Sequence, residues 1–181
     1  MDSCAMKTQM KNTKKYFVSS PPKNKKQRLI LVFGSFDIVH PAHLKFLEEA
    51  RKAVKCSNCK LVLIIARDSS IIRIKGHKPI FNEEDRLKLI CGLRIVDYAC
   101  LGNEGSDQFK IISEFKPDFI VLGYDQLPND KPLYKFITDN KLQTKIFRLP
   151  KYESGDLSSS SKIREKVLEI YNQKKEGIPE K

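Results

Sequence analysis

From Gln27 onward the chain alternates short apolar runs with longer stretches in which apolar residues recur every three or four positions. Short apolar runs bounded by charged or turn residues read as strands of a parallel sheet, covered on both faces and therefore lacking a strict polar alternation. They predict strands over Arg28 to Phe33, Lys60 to Ala66, Tyr98 to Leu101, Asp118 to Leu122 and Thr144 to Arg148. Helical periodicity falls between them, over Ala42 to Val54, Asn82 to Leu93, Ser106 to Phe115, Leu133 to Asn140 and Ser159 to Gln173. In the first helix Leu44, Phe46, Leu47, Ala50 and Val54 form an apolar face, and in the second Leu87, Ile90 and Cys91 do the same, so these faces are core. Strands alternating with helices imply an α/β fold: a single Rossmann-like domain, a five-stranded parallel sheet with helices on both faces. There is no internal repeat, and the one low-complexity patch is Ser158 to Ser161.

A length of 181 residues suits one core of this kind. The longest apolar runs, such as Leu61 to Ala66, fall far short of the ~20 residues a membrane helix needs. The polar, Lys-rich start has no apolar signal core, so the expected setting is the cytoplasm with no membrane partner. Charge refines the domain limits. Lys7, Lys11, Lys14, Lys15, Lys23, Lys25, Lys26 and Arg28 face Asp2 alone in residues 1 to 28, so more than half of the net +12 lies there. Residues 1 to 27 therefore read as a disordered, solvated arm rather than a nucleic-acid binder, 28 to 173 as the domain and 174 to 181 as a flexible tail. The positive charge left on the body suits phosphate ligands. Five cysteines, an odd number, argue for a reducing compartment over a disulfide framework; Cys56 and Cys59 lack the second pair a structural zinc would want, and Cys91 and Cys100 read as core.

The strand Leu29 to Phe33 runs into Gly34-Ser35-Phe36-Asp37, then His40-Pro41-Ala42-His43 at a helix start. Ligands of open parallel sheets sit beyond the carboxyl ends of strands, and a helix N-terminus there offers N–H groups and partial positive charge to an anion. Gly34 is expected to allow a tight turn and close approach of a ligand. Histidines three apart share one side of a helix, so His40 and His43 can face one phosphate group. An isolated pair would more simply cap the helix or decorate the surface; the whole string after a buried strand favours the phosphate reading. Zinc would need a third ligand that nothing obvious supplies, so no protein metal site is expected.

This string resembles the cytidylyltransferase-like nucleotidyltransferases, whose signature is His-x-Gly-His after a Gly-Thr/Ser-Phe-Asp turn. The resemblance continues through Arg67-Asp68, the basic stretch Lys75 to Ile80, Glu84-Asp85-Arg86, Val121 to Gln126 and Ser159-Ser160-Ser161-Lys162-Ile163-Arg164, covering roughly residues 28 to 172. Lys-Gly-x-Lys-Pro-Ile and Leu-Gly-Tyr-Asp-Gln look most like archaeal-type FAD synthases, which join AMP from ATP to FMN; glycerol-phosphate cytidylyltransferases carry Gly-Asp-Asp there. The resemblance implies a catalytic set of His40, His43, Lys75 and Arg164. It implies nucleotide binding by Gly34, Ser35, Phe36, Asp37, Gly123, Asp125, Ser159, Ser160 and Ser161 together with the histidines and Arg164, and substrate binding by Arg67, Lys78 and Arg86. Lys75 and Lys78 would lie in a mobile basic loop closing over the phosphates. Mg²⁺ or another divalent cation would arrive mainly on the nucleotide phosphates, with Asp37 the nearest carboxylate. ATP, or CTP, and a phosphate-ester acceptor, FMN favoured, are the implied partners; superfamily members are often homodimers, while this sequence shows no decisive interface.

Two positions depart from the pattern. Ala42 stands where the family has glycine; the methyl suits a helical backbone but would crowd a nucleotide if that glycine exists for close approach. Lys151 stands where cytidylyltransferases often place arginine. The alternatives are accordingly a cytidylyltransferase acting on a phosphorylated alcohol such as glycerol 3-phosphate, and a weakly active or inactive nucleotide-binding protein.

Overall fold

The apolar runs become strands in the computed structural model, which describes residues 16–17, 27–105, 109–151 and 155–176. The strands are β1 (Tyr16–Phe17), β2 (Arg28–Gly34), β3 (Cys59–Ile65), β4 (Tyr98–Leu101), β5 (Phe119–Leu122) and β6 (Lys145–Arg148). The helices are α1 (Pro41–Val54), α2 (Asp68–Lys75), α3 (Glu83–Cys91), α4 (Lys110–Phe115), α5 (Lys131–Asp139) and α6 (Ser160–Glu176). All five expected strands are present and parallel, each boundary within one residue of its expected place. The sheet also takes in the two-residue β1, from the stretch expected to be a disordered arm, which pairs with β4 through Tyr16 to Tyr98 and Phe17 to Ala99. The rest of that arm, the start of the expected helix at 106–108 and the last residues of the tail lie outside the described residues.

Strand order is β1-β4-β3-β2-β5-β6. The chain steps outward from β2 to β3 and β4, then returns to the other flank of β2 for β5 and β6. The carboxyl ends of β2 and β5 therefore bound the crevice where successive connections diverge, the place in such sheets where ligands bind. Alternate strand residues serve opposite faces. Ile30, Val32, Leu61, Leu63 and Ile65 pack with Phe46, Leu47, Ala50 and Val54 of α1 and with Leu87 and Ile90 of α3. Leu29, Leu31, Val62 and Ile64 pack with Ile111, Ile112 and Phe115 of α4 and Leu133 and Ile137 of α5. Each such side chain, wholly removed from water, contributes about 1.5–3 kcal/mol, which makes the double layer the source of stability.

Local signals set the ends of α1. Pro41 opens it, and Lys55, left-handed at φ 47°, closes it with its N–H on the Lys52 carbonyl. That turn brings Cys56 and Cys59 together as a disulfide with Cα atoms 5.5 Å apart, which corrects the expectation that these two cysteines are unpaired. Cys100 is core as expected, its thiol pushed up to about 12 chiefly by burial, whereas Cys91 is only half-buried. Helix α2 corrects a second expectation. Lys75 ends a helix instead of lying in a mobile loop, and Gly76, at φ 74°, is its left-handed cap. Ile71 is the only buried residue of α2, so the sequence carries no apolar stripe by which to see it.

Candidate active site

Four segments converge beyond the carboxyl ends of β2 and β5: the turn after β2, the end of α2 with the loop behind it, the loop after β5, and the start of α6. Gly34 serves the first in a different way from that expected. Its φ is not left-handed; instead a Cβ there would sit 2.9 Å from Cδ2 of Phe36 and closer still to Cε2. Phe36 takes the strained φ of 47° and is 1% exposed, so its ring fills the space above Gly34 and does not face a ligand. Gly34→Ala is therefore expected to cost about 1–3 kcal/mol, read as a lower thermal midpoint; a wild-type midpoint would mean that the ring moves aside freely.

The ring of Phe36 supports the histidines. Its centroid lies 4.7 Å from that of His43, whose other face stacks on His40 at 3.7 Å and 20°. His40 is the N-cap residue of α1, extended at φ −141° and ψ 166°, and its side chain makes no capping bond. Burial lowers the affinity of both imidazoles for protons. For His43, burial first, then the neighbouring His40 and Lys75, bring the pKa to about 3. Both rings are thus neutral at pH 7, each with one N–H to donate. The buried Nδ1 of each has no hydrogen-bond partner among the described residues. An unpaired buried polar atom costs about 1–3 kcal/mol, so two on adjacent rings mark a place organised for something other than stability.

Cationic groups surround the pair. The Lys75 ammonium donates to Ser35 Oγ at 3.1 Å. Arg164, one turn into α6, pairs with Asp37, whose carboxylate is 2% exposed and also accepts the N–H groups of Ile80 at 2.7 Å and Phe81 at 3.1 Å. Ser159 caps α6 by accepting the Lys162 N–H at 3.2 Å, and Ser160 Oγ accepts the Ile38 N–H at 3.4 Å, stitching α6 to the histidine turn. Ser161 is exposed. The mouth therefore carries two helix N-termini, Lys75 and Arg164, with the buried carboxylate of Asp37 already compensated. Such a site suits a polyanion.

The loop after β5 closes the opposite side. Gln126, the last residue of the Leu-Gly-Tyr-Asp-Gln string but given no site role from the sequence, donates through Nε2 to the Phe33 carbonyl at 2.9 Å and accepts the Gly123 N–H at 3.0 Å, bridging β5 to β2. Arg148 grips the same loop through the carbonyls of Gly123, Gln126 and Leu127 at 3.1, 2.6 and 3.0 Å. Tyr124 and Asp125 are left exposed at its tip, with the Lys151 ammonium 5.8 Å from the Tyr124 ring centroid. Polar residues directly after a parallel strand are the signal that could have revealed Gln126.

One expected substrate contact, Arg86, is corrected, and a second, Arg67, is engaged within the protein. Arg86 is fully buried and bonds the carbonyls of Ser35, Ala66 and Phe81 and the carboxylate of Asp68, so it holds the turn and meets no substrate. Arg67 is committed likewise, to the Gly102 carbonyl at 2.8 Å and Glu83 at 2.6 Å. Lys78 is exposed on the loop beyond α2. Ala42, in the first turn of α1, is 9% exposed, so its methyl is largely covered by protein instead of standing in the open mouth.

A family model described as cytidylyltransferase-like matches residues 31–166. FAD synthase of Picrophilus torridus is 43% identical over 143 residues, which span 79% of this chain and 98% of that one. FAD synthase of Methanohalophilus mahii is also 43% identical, over 77% of this chain and 94% of its own. Among solved structures, a lipopolysaccharide core biosynthesis protein from Thermoplasma volcanium superposes with TM-score 0.62 at 41% identity, over 70% of this chain and 98% of that one. Pantoate-beta-alanine ligase from Francisella tularensis, 14% identical with TM-score 0.53 over 82% of this chain and 70% of its own, shares the fold alone.

Proposed function

This chain belongs to the cytidylyltransferase-like family, and from that premise we infer that it is an FMN adenylyltransferase, transferring AMP from ATP to FMN with release of pyrophosphate. The observation that carries nucleotidyl transfer is the stacked, neutral His40–His43 pair at the switch point, with Lys75 and Arg164 beside it. The choice of FMN and ATP is supported by the identity to FAD synthases along nearly their whole length.

In the reaction a phosphate oxygen of FMN attacks the α-phosphorus of ATP. A new P–O bond forms as the bond to the β-phosphate oxygen breaks, and pyrophosphate leaves with that electron pair. A phosphate monoester is already nucleophilic, so the protein's work is to align the groups and neutralise charge as it develops. The imidazole N–H groups of His40 and His43 would hold phosphate oxygens over the start of α1, where neutral donors add direction without fixing a counter-charge. Lys75 and Arg164 would meet the charge that grows on the departing pyrophosphate. Tyr124 and Asp125, on their braced loop, would form the nucleoside wall.

A divalent cation would enter on the triphosphate. The described residues contain no cluster of three or more His, Cys, Asp and Glu side chains that could hold it alone, and both oxygens of Asp37 are in use. The phosphates would therefore supply most of its ligands. A cytoplasmic setting and a homodimer belong to the same proposal; no helix among the described residues is long and apolar enough to cross a membrane.

The test is pyrophosphate release by the purified protein with Mg²⁺ and either ATP plus FMN or CTP plus glycerol 3-phosphate. Product from the first pair is expected. Product from the second pair alone would replace this reading with that of a cytidylyltransferase.

A further inference from the structure

We propose that Asp37 is a positioning residue that presets Arg164 for the triphosphate, an inference that rests on the nucleotidyl-transfer reading above. A carboxylate beside a phosphate site repels the ligand unless its charge is answered, and a buried one must also be hydrogen-bonded. Asp37 meets both conditions with groups from two distant segments. One oxygen takes the Ile80 and Phe81 N–H groups, and the other takes Arg164. The carboxylate thereby ties the histidine turn, the loop beyond α2 and the first turn of α6 into one unit.

Among the described residues only the Nη2 nitrogen of Arg164 has a partner, and the side chain is 27% exposed. A guanidinium carries five N–H donors in a rigid fork. Fixing one edge on Asp37 leaves the other edge aimed and open. The fork is thus ordered before nucleotide binds, so binding need not immobilise a flexible arginine. Asp37 itself touches no phosphate; it acts through Arg164.

A double-mutant cycle tests this, read as ATP affinity by calorimetry and as kcat and KM for pyrophosphate release. Asp37→Asn keeps an oxygen for the Ile80 and Phe81 N–H groups but turns an uncharged amide toward Arg164. It is expected to weaken ATP binding about tenfold in the folded variant, with a lower thermal midpoint because the buried pair with Arg164 is lost. Arg164→Ala is expected to weaken binding at least as much, and Asp37→Asn added to it should change affinity by less than twofold, because the residue it acts through is gone. Losses that multiply would overturn the proposal, since they would mean that Asp37 contributes independently, as a metal ligand would.

Arg164→Lys asks the same question without touching the buried carboxylate, should Asp37→Asn fail to fold. A single ammonium cannot hold Asp37 and present a second planar edge, so a tenfold loss is expected; wild-type affinity would overturn the proposal. The affinity cycle needs no acceptor. Failure to adenylylate FMN would remove the proposed function while leaving these outcomes readable.

Discussion

His43→Ala is expected to lower turnover by two or more orders of magnitude, about 3–4 kcal/mol of transition-state stabilisation, with a thermal midpoint near that of the wild type at pH 7. The ring lies between Phe36 and His40 with its buried Nδ1 unpaired, so the fold gains little polar stabilisation from it. On the proposed mechanism its role would be that of an N–H donor held in place at the mouth of the switch point. Because the pKa is near 3 in the free protein, His43 should contribute no limb to the pH profile of kcat/KM between pH 5 and 8. Stability behaves differently. The unfolded histidine binds a proton near the ordinary histidine value of 6.5 and the folded one does not, so the unfolded state is favoured increasingly as pH falls from 6.5 toward 3. Thermal melts from pH 7 to 5 should therefore slope less steeply in His43→Ala. Unchanged turnover would remove His43 from the mechanism.

Arg86→Met should destabilise the protein by about 3–5 kcal/mol, enough to unfold many single domains. Methionine matches the length and apolar stem but leaves the carbonyls of Ser35, Ala66 and Phe81 and the Asp68 carboxylate without the donors they now have at 2.6, 2.8, 3.0 and 2.5 Å. Arg86→Lys should recover little, since one ammonium cannot serve four acceptors on different segments. Urea unfolding distinguishes this from a substrate role. If Arg86 bound substrate, the variant would unfold at the wild-type midpoint with a raised KM, and the structural account would fail.

The consequence reaches the histidine pair through the turn. Arg86 holds the Ser35 carbonyl, Lys75 holds the Ser35 hydroxyl, and Phe36, next along, supports His43. A partly folded Arg86 variant should lose activity before it loses the sheet, because the turn is bound by these few polar contacts whereas β2 and β3 are zipped in register from Arg28 with Cys59 to Gly34 with Ile65.

The sequence by itself determined the α/β architecture, the five main strands, the apolar faces of α1 and α3 apart from Leu44, which is exposed, and the histidine turn. These are local consequences: a doubly covered strand must be apolar throughout, a core helix must show a stripe, and a phosphate turn needs its short motif in one contiguous stretch. Helix α2 escaped because a single buried residue leaves no stripe. Even Arg86 left a trace, lying four positions from the buried Ile90 on the core side of α3.

What only the tertiary structure decided is the employment of each charge. Arg86 and Arg164 look alike along the chain; one is spent on a carbonyl 51 residues away and the other stands half-open at the mouth. Asp37 faces Arg164 across 127 residues, and Gln126 reaches Phe33 across 93. A charged side chain is satisfied equally by water, ligand or a distant backbone group, and its own neighbours in sequence do not reveal which; that is settled by the segments folding brings opposite it.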